Sequence, residues 1–194
     1  MKVLGSDPGI AAGGLAIIEA NNVTMTDALN TSVTMTIIDA IDIPTIGTKA
    51  KERVDVIAIQ KWIGQHRPAL ACIERAQSMP KQGSSSGFKY GRATGAIEAA
   101  IVLSGIPTEI IEPSVWKRAL CLPGKDKEAA RQRALELFPA AHALLARKKD
   151  HGRAEACLIA LFGLKNSRLV TALPGAQTGS INETNPTVGA NFNE

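Results

Sequence analysis

Three carboxylates stand at predicted ends of secondary-structure elements. Asp7 follows the first predicted strand, Glu74 closes a buried apolar run, and Glu155 lies in the first turns of the last predicted helix. Carboxylates that converge from different elements are the hard oxygen ligands that Mg²⁺ prefers. Two such ions about 4 Å apart stabilise the charge on the attacking water and on the leaving oxygen in phosphodiester hydrolysis. The three acids therefore indicate a site for two Mg²⁺ ions, in which we expect Mn²⁺ to substitute.

Each of these acids also has a purely structural explanation, which the sequence alone leaves open. Asp7 precedes a Pro-Gly pair and is typical of a turn. Arg75 is available as an ion-pair partner for Glu74. Glu155 is favoured near a helix N-terminus by the helix dipole. What favours a metal site is the combination, because clustered acids in a basic protein repel each other unless cations bind them.

Two further residues precede Glu155 at the start of the last predicted helix. His151 lies four positions before Glu155, so the two side chains share a helical face and are able to reach a common ion. Asp150 is suited to the N-cap of that helix. An exposed polar position is the alternative interpretation of His151.

The elements that must position these side chains predict an α/β fold. Strands are predicted over residues 2–6, 14–19, 32–41, 69–74 and 108–111, and helices over residues 48–66, 88–104, 113–120, 126–138 and 152–164. Closely spaced early strands predict an antiparallel meander, and the later helical crossovers predict parallel strands in the sheet interior. We therefore expect a five-stranded mixed sheet flanked by helices on both faces.

Two segments do not fit this pattern of regular elements. Residues 77–87 are rich in Gly and Ser and predict a mobile loop beside Glu74. Residues from 166 onward have few large apolar side chains and many Asn, Thr, Gly and Pro. The chain is therefore predicted to form one domain over residues 1–165, followed by a disordered tail over residues 166–194.

The composition excludes several classes of protein. Hydrophobic residues make up 45% and charged residues 21%, as in ordinary globular domains. No apolar run reaches the roughly 18 residues of a membrane span. The three cysteines, Cys72, Cys121 and Cys157, have no C-x-x-C spacing, which disfavours a zinc site and indicates reduced thiols. We expect an intracellular, cytoplasmic protein without a membrane partner.

Basic charge is concentrated in two stretches of the chain. Residues 75–92 hold four Lys or Arg and no acid, and residues 113–153 hold ten against four acids, although the net charge is only +4. Such clustering indicates a polyanionic partner, and a solvated basic face is the alternative. The candidate phosphate contacts are Arg75, Lys81, Lys89, Arg92, Lys117, Arg118, Lys125, Lys127, Arg131 and Arg133.

Six short motifs follow one another in a recognisable order. They are G-S-D-P-G (5–9), C-I-E-R (72–75), Y-G-R-A-T-G (90–95), P-S-V-W-K (113–117), G-K-D-K-E-A-A-R (124–131) and D-H-G-R-A-E-A (150–156). Together they resemble the RuvC family of Holliday junction resolvases, nearest to its phage-type members, from residue 1 to about 165. The resemblance implies an RNase H-like fold, a homodimer, and paired symmetrical nicks in four-way branched DNA.

The resemblance also implies roles for individual residues. Asp7, Glu74 and Glu155 match the family's metal-binding acids, and Lys117 matches a catalytic cation close to the scissile phosphate. Many relatives have a fourth acid three or four residues before the last one, where this chain has Gly152 and His151. His151 is the favoured fourth ligand, with Asp150 as its competitor.

The resemblance further implies contacts with the opened centre of a junction. Met79 or Phe88, in or beside the Gly/Ser-rich loop, is expected to wedge against an unpaired base. The small residues of the helix over 88–104 suit either internal packing or a two-fold dimer contact.

Three alternatives to junction resolution remain open at this stage. Flap or RNA–DNA hybrid cleavage would use the same acids. A junction-binding protein with impaired catalysis would follow if His151 does not replace the fourth carboxylate. An ATPase of the actin and sugar-kinase type also opens with a strand and D-x-G, but it requires a second phosphate motif and a longer chain.

Overall fold

Five strands form one mixed sheet, as predicted. The computed structural model describes residues 1–10, 12–27, 30–48, 51–77, 83–122, 124 and 127–167. In chain order the strands are β1 (Lys2–Asp7), β2 (Gly14–Asp27), β3 (Asn30–Asp42), β4 (Thr45–Ile46), β5 (Arg53–Val54), β6 (Leu70–Glu74) and β7 (Thr108–Ile111). The order in the main sheet is β3-β2-β1-β6-β7. The pairs β1–β2 and β2–β3 are antiparallel, and β1–β6 and β6–β7 are parallel. The prediction that all parallel strands are internal is wrong for β7, which forms an edge.

Helices cover both faces of this sheet, which confirms the predicted α/β architecture. They are α1 (Val56–His66), α2 (Ser84–Val102), α3 (Pro113–Ala119), α4 (Lys127–Leu137), α5 (His142–Leu145) and α6 (His151–Asn166), with 3-10 turns at Pro139–Ala141 and Lys148–Asp150. One apolar core contains side chains of α1 and α2, and the other contains side chains of α3, α4, α5 and α6.

Three predicted boundaries differ from those in the structure. Strands β4 (Thr45–Ile46) and β5 (Arg53–Val54) pair antiparallel, and β5 lies within the predicted helix. Helix α1 begins only at residue 56, because the Asp55 carboxylate accepts a 3.0 Å hydrogen bond from the Ala58 amide and caps the helix there. The predicted loop is shorter, since Ser84–Gly87 belong to α2, and residues 78–82 lie outside the described residues. Helix α6 ends at Asn166, and residues 168–194 of the predicted tail also lie outside them.

Alternation along β1 decides which residues face α6. Val3 packs in the core that contains α6, whereas Leu4 packs in the core that contains α1 and α2. Gly5 again faces α6, because a Cβ built on it would lie 2.0 Å from the Ala156 carbonyl oxygen. Since side chains alternate between the two faces of a strand, Asp7 extends from the α6 side.

The three cysteines lie in different environments. Cys72 and Cys157 are buried, Cys121 is exposed, and all three are free thiols. In the portion of the chain that the structure describes, no helix is both long and apolar enough to span a membrane.

Candidate active site

Asp7 and Glu74 end two neighbouring strands. The parallel register of β1 and β6 pairs Ser6 with Ile73, so the next residue on each strand is one of the two acids. Cys72, two positions before Glu74, packs in the core on the α6 side. The alternation that directs Asp7 toward α6 therefore directs Glu74 to the same face.

Glu155, in the second turn of α6, brings a third carboxylate to this point. Its side chain is hydrogen-bonded to that of Asp7. Burial raises the pKa of Asp7 well above its ordinary value, and the negative charges of Glu155 and Glu74 raise it further. A hydrogen bond between two carboxyl groups needs a proton on one of them, and the raised pKa allows Asp7 to carry it.

Glu74 is held by α3 rather than by its neighbour in sequence. The indole N–H of Trp116, which is fully buried, donates a 2.7 Å hydrogen bond to Oε2 of Glu74. Burial raises the pKa of Glu74, although the Trp116 hydrogen bond and the Lys117 charge act in the opposite direction. Arg75 instead forms an ion pair of 2.5 Å with Glu112. The structural explanation that paired Glu74 with Arg75 is therefore wrong.

Lys117 reaches the same acids from α3. Its Nζ lies 3.1 Å from Oε1 of Glu155 and 5.0 Å from the ring centroid of Trp116. Its positive charge lowers the pKa of both Asp7 and Glu74 against the larger effect of their burial. Three acids from β1, β6 and α6 thus share one ammonium group.

His151 begins α6, one turn before Glu155. Its Nδ1 lies 3.4 Å from the carbonyl oxygen of Lys148 and donates to it in the tautomer with a proton on Nδ1. Its Nε2 is buried and has no hydrogen-bond partner among the described residues. Metal-binding histidines commonly donate one ring N–H to a carbonyl and use the other nitrogen as the ligand. The charge of His151 acts on Glu128 of α4, so the role of His151 as a ligand beside Glu155 stays a prediction.

Asp150 is oriented by Arg147. Its carboxylate is 1% exposed and accepts hydrogen bonds of 2.7–3.2 Å from the Arg147 guanidinium and one of 2.8 Å from the Arg147 amide. Burial raises the pKa of Asp150, but the Arg147 hydrogen bonds lower it more, so the net pKa is below the ordinary value. Asp150 occupies the N-cap position of α6, yet its side chain makes no cap hydrogen bond there, so the predicted capping role is wrong.

The donor set has the chemistry of a divalent cation site. Among the residues that the structure describes, no group of three or more His, Cys, Asp or Glu side chains is arranged to hold a metal ion. However, Asp7, Glu74 and Glu155 are hard oxygen donors. Burial, followed by the charges of Glu155 and Glu74, raises the pKa of Asp7, and a bound cation relieves the repulsion between these charges. The acids therefore fit the predicted metal in donor type, and small side-chain movements must bring them onto it.

Comparison with known proteins assigns the chain to a family. The family model described as crossover junction endodeoxyribonuclease RuvC matches residues 3–161. The chain belongs to the RuvC family. Among its relatives, the RuvC of Mycolicibacterium smegmatis is 26% identical over 91% of this chain and 90% of that protein. The RuvC of Paenarthrobacter aurescens is 29% identical over 62% of this chain and 59% of that protein, less than two thirds of its length.

Solved structures support the RNase H-like fold. RuvC of Thermus thermophilus in complex with a Holliday junction substrate has a TM-score of 0.61 at 23% identity, with 83% of this chain and 91% of that chain covered. A second structure of T. thermophilus RuvC has a TM-score of 0.57 at 17% identity, over 85% of this chain and 96% of that one. The resemblance and the fold inferred from the sequence motifs are therefore confirmed.

Part of the predicted DNA surface of this RuvC-family chain lines a cavity between α2 and the β4–β5 strands. Lys89 and Arg92 of α2 line a cavity of about 970 Å³ together with Tyr90, Ile10 and the β4–β5 residue Arg53. Phe88 is 67% exposed near the start of α2. Burial, followed by the charges of Asp7 and Glu74, raises the pKa of Tyr90, so Tyr90 lies within electrostatic range of two of the acids.

Other predicted contacts are engaged within the protein or lie outside the described residues. Arg131 pairs with Glu128 and donates hydrogen bonds of 3.0 and 3.3 Å to the carbonyl oxygens of Leu145 and Ala146. Arg133 pairs with Glu136 at 3.0 Å, and Arg118 is exposed. Met79, Lys81 and Lys125 lie outside the described residues, and for Lys127 only its place at the start of α4 is described. Their DNA contacts remain predictions.

Two residues of the site were not predicted from the sequence. Trp116 is a buried core residue, and its N–H also orients Glu74. Tyr90 belongs to the motif Y-G-R-A-T-G, and the sequence indicates no role for it. Burial, followed by the charges of Asp7 and Glu74, raises the pKa of its hydroxyl. The available signal was the position of Trp116 directly before Lys117, because neighbouring residues of one short helix reach the same site.

Proposed function

We propose that this chain is a Mg²⁺-dependent endonuclease that resolves four-way DNA junctions by paired symmetrical nicks. One observation carries the proposal: Asp7, Glu74 and Glu155 converge from β1, β6 and α6, where burial and then the charges of Glu155 and Glu74 raise the pKa of Asp7. Such a cluster costs stability without cations and becomes useful when divalent ions bind it. Membership of the RuvC family supplies the substrate class.

The residues of the site have separate roles in hydrolysis. When bound, two Mg²⁺ ions supply a polarised water and stabilise the leaving oxygen. Asp7, Glu74 and Glu155 would hold these ions, with Mn²⁺ as a substitute. Trp116 orients Glu74 through its indole N–H. Lys117 provides a mobile cation for the scissile phosphate.

We assign the fourth ligand to His151 rather than to Asp150. The Nε2 atom of His151 is buried without a partner among the described residues, whereas both carboxylate oxygens of Asp150 accept hydrogen bonds from Arg147. A neutral imidazole nitrogen contributes no charge, so the site carries one negative charge fewer than a site with four carboxylates. The RuvC of T. thermophilus crystallised with a Holliday junction supports junction DNA as the substrate. Two nicks related by symmetry require a homodimer.

The proposal is tested by nicking assays on a four-way junction, a flap and a linear duplex in Mg²⁺. We expect the wild-type protein to cut the junction in two symmetrical positions, and Asp7→Asn to abolish nicking while it retains junction binding. Glu19→Gln is the matched control. Glu19 on β2 lies opposite Lys2 in the strand register, at the end of β1 that is away from Asp7. Equal cleavage of the flap would indicate a broader branched-DNA nuclease. Tight junction binding by the wild-type protein without cleavage would indicate a binding protein with impaired catalysis.

A further inference from the structure

Lys117 is the cation most closely associated with the three acids. Its Nζ is 3.1 Å from Glu155, its charge acts on Asp7 and Glu74, and its side chain is 29% exposed. The ring of Trp116, with its centroid 5.0 Å from Nζ, forms a further favourable contact for an ammonium group. The side chain is therefore held over the acids by two separate contacts.

Neighbouring basic side chains have other partners in the described structure. Arg75 pairs with Glu112, Arg147 pairs with Asp150, and Arg153 pairs with Asp42 at 2.6 Å. Within the described ranges, Lys117 is thus the basic side chain that compensates the acids. Three carboxylates against one ammonium remain an undercompensated cluster, which still favours a divalent cation.

We propose that Lys117 is an internal counter-ion that competes with the divalent metal for Glu155 and leaves Glu155 when the metal binds. The inference rests on the proposed function and adds a regulatory step to it. Oε1 of Glu155 faces the Lys117 ammonium at hydrogen-bond distance, and a metal ion that binds through this oxygen from the side of α3 takes the position that the ammonium now occupies. Metal loading in this direction displaces Lys117 and frees it for the substrate phosphate.

This exchange gives Lys117 two effects of opposite sign. It weakens metal binding in the DNA-free protein, because the metal must displace a favourable ion pair. It promotes cleavage afterwards, because the released ammonium lies next to the phosphate that the metals activate. A lysine that only braces α3 against α6 would not oppose metal binding, so the sign of its effect on affinity separates the two interpretations.

The test is Mn²⁺ affinity of the full-length, DNA-free protein, measured by the paramagnetic resonance of unbound Mn²⁺. We expect Lys117→Met to bind Mn²⁺ about two- to fivefold more tightly than wild type, as the loss of one partly exposed ion pair implies. Lys117→Arg retains the charge and is expected to stay near wild type. Lys165→Met removes an equal charge from an exposed position at the end of α6 and is expected to leave the affinity unchanged.

A second readout protects the test against a folding defect. Lys117→Met is expected to lower the Tm of the metal-free protein, and saturating Mn²⁺ should reduce that deficit because the metal-loaded protein no longer uses the ion pair. Unchanged or weaker Mn²⁺ affinity in folded Lys117→Met overturns the proposal that Lys117 competes with the metal for Glu155. If Asp7→Asn leaves Mn²⁺ affinity unchanged, the metal site of the proposed function fails instead.

Discussion

The indole N–H of Trp116 donates to Oε2 of Glu74 across 2.7 Å. Trp116 has no exposed surface, so water does not replace Glu74 as the acceptor of its N–H when the bond is lost. Glu74 is thereby fixed through one oxygen, and its other oxygen remains available to a metal ion. A buried tryptophan in α3 thus positions a ligand that ends β6, which links the core on the α6 side to the chemistry.

The first prediction concerns this hydrogen bond. Trp116→Phe removes the N–H and keeps most of the ring, so Glu74 loses its fixed orientation. We expect Mn²⁺ affinity and the nicking rate each to fall by about tenfold, since a lost hydrogen bond to a charged group is worth roughly 1.5–3 kcal/mol. Mn²⁺ titration and single-turnover nicking of a four-way junction measure the two effects.

Trp62 provides a matched control for Trp116. It is also buried, and its indole N–H donates a 2.8 Å hydrogen bond to a carboxylate, that of Asp39, in the α1 core. Trp62→Phe is expected to lower Tm to an extent similar to Trp116→Phe. It is expected to leave the Mn²⁺ affinity unchanged. Equal losses of affinity in both variants would show that general destabilisation, rather than the orientation of Glu74, is responsible.

The second prediction concerns the pH dependence of stability. Burial and the charges of Glu155 and Glu74 raise the pKa of Asp7 in the folded protein. Above about pH 4 the unfolded chain has lost a proton that the metal-free folded protein still binds. Stability therefore decreases as pH rises through the raised pKa of Asp7, and it does not recover at higher pH.

Asp7→Asn removes this loss of stability. We expect the metal-free variant to have a higher Tm than wild type at neutral pH. Each kcal/mol regained in the free energy of unfolding raises Tm by about 2–4 °C. The difference should close below about pH 4, where Asp7 is protonated in both states. Glu19→Gln should show no such pH-dependent gain. Thermal melts across this pH range measure the effect, and a variant less stable than wild type at neutral pH would contradict it.

Local patterns explain which parts of the site were predictable. Asp7 and Glu74 end short apolar strands, and Glu155 lies in a helix with small neighbours, so each position follows from residues close in sequence. The Trp116–Glu74 hydrogen bond joins residues 42 positions apart, and no local pattern indicates it. The position of Asp150 predicts an N-cap, but in the structure its carboxylate oxygens accept hydrogen bonds from Arg147. A guanidinium competes well for a buried carboxylate, because its hydrogen bonds are charge-assisted.

The third prediction concerns Gly5, which allows α6 to approach β1. A Cβ on Gly5 would lie 2.0 Å from the Ala156 carbonyl oxygen and 2.7 Å from the Ala160 nitrogen. Both are backbone atoms of α6 and do not yield easily. Gly5→Ala is therefore expected to cost about 3 kcal/mol and to move Glu155 away from Asp7, which lowers Mn²⁺ affinity.

Gly64 in α1 is the control for this substitution. A Cβ built there has no atom within 4 Å. Gly64→Ala is expected to stabilise the protein by about 0.5–1 kcal/mol, because alanine loses less conformational entropy in a helix than glycine does. Chemical denaturation measures both variants. A Gly5→Ala protein as stable as wild type would show that the close contact between β1 and α6 is not required.

The fourth prediction separates His151 from Asp150 by two different measurements. His151→Ala removes an unpartnered buried nitrogen and is expected to weaken Mn²⁺ binding about tenfold, in the range observed when metal ligands or their supports are lost, with little change in Tm. Asp150→Ala is expected to lower Tm and to have a milder effect on nicking than His151→Ala, because its carboxylate is buried against Arg147. Arg147→Ala should resemble Asp150→Ala, and the double variant should cost less than the two single losses combined. A larger loss of Mn²⁺ affinity in folded Asp150→Ala than in His151→Ala would assign the fourth ligand to Asp150, and the Arg147 contacts would then belong to a state that metal binding breaks.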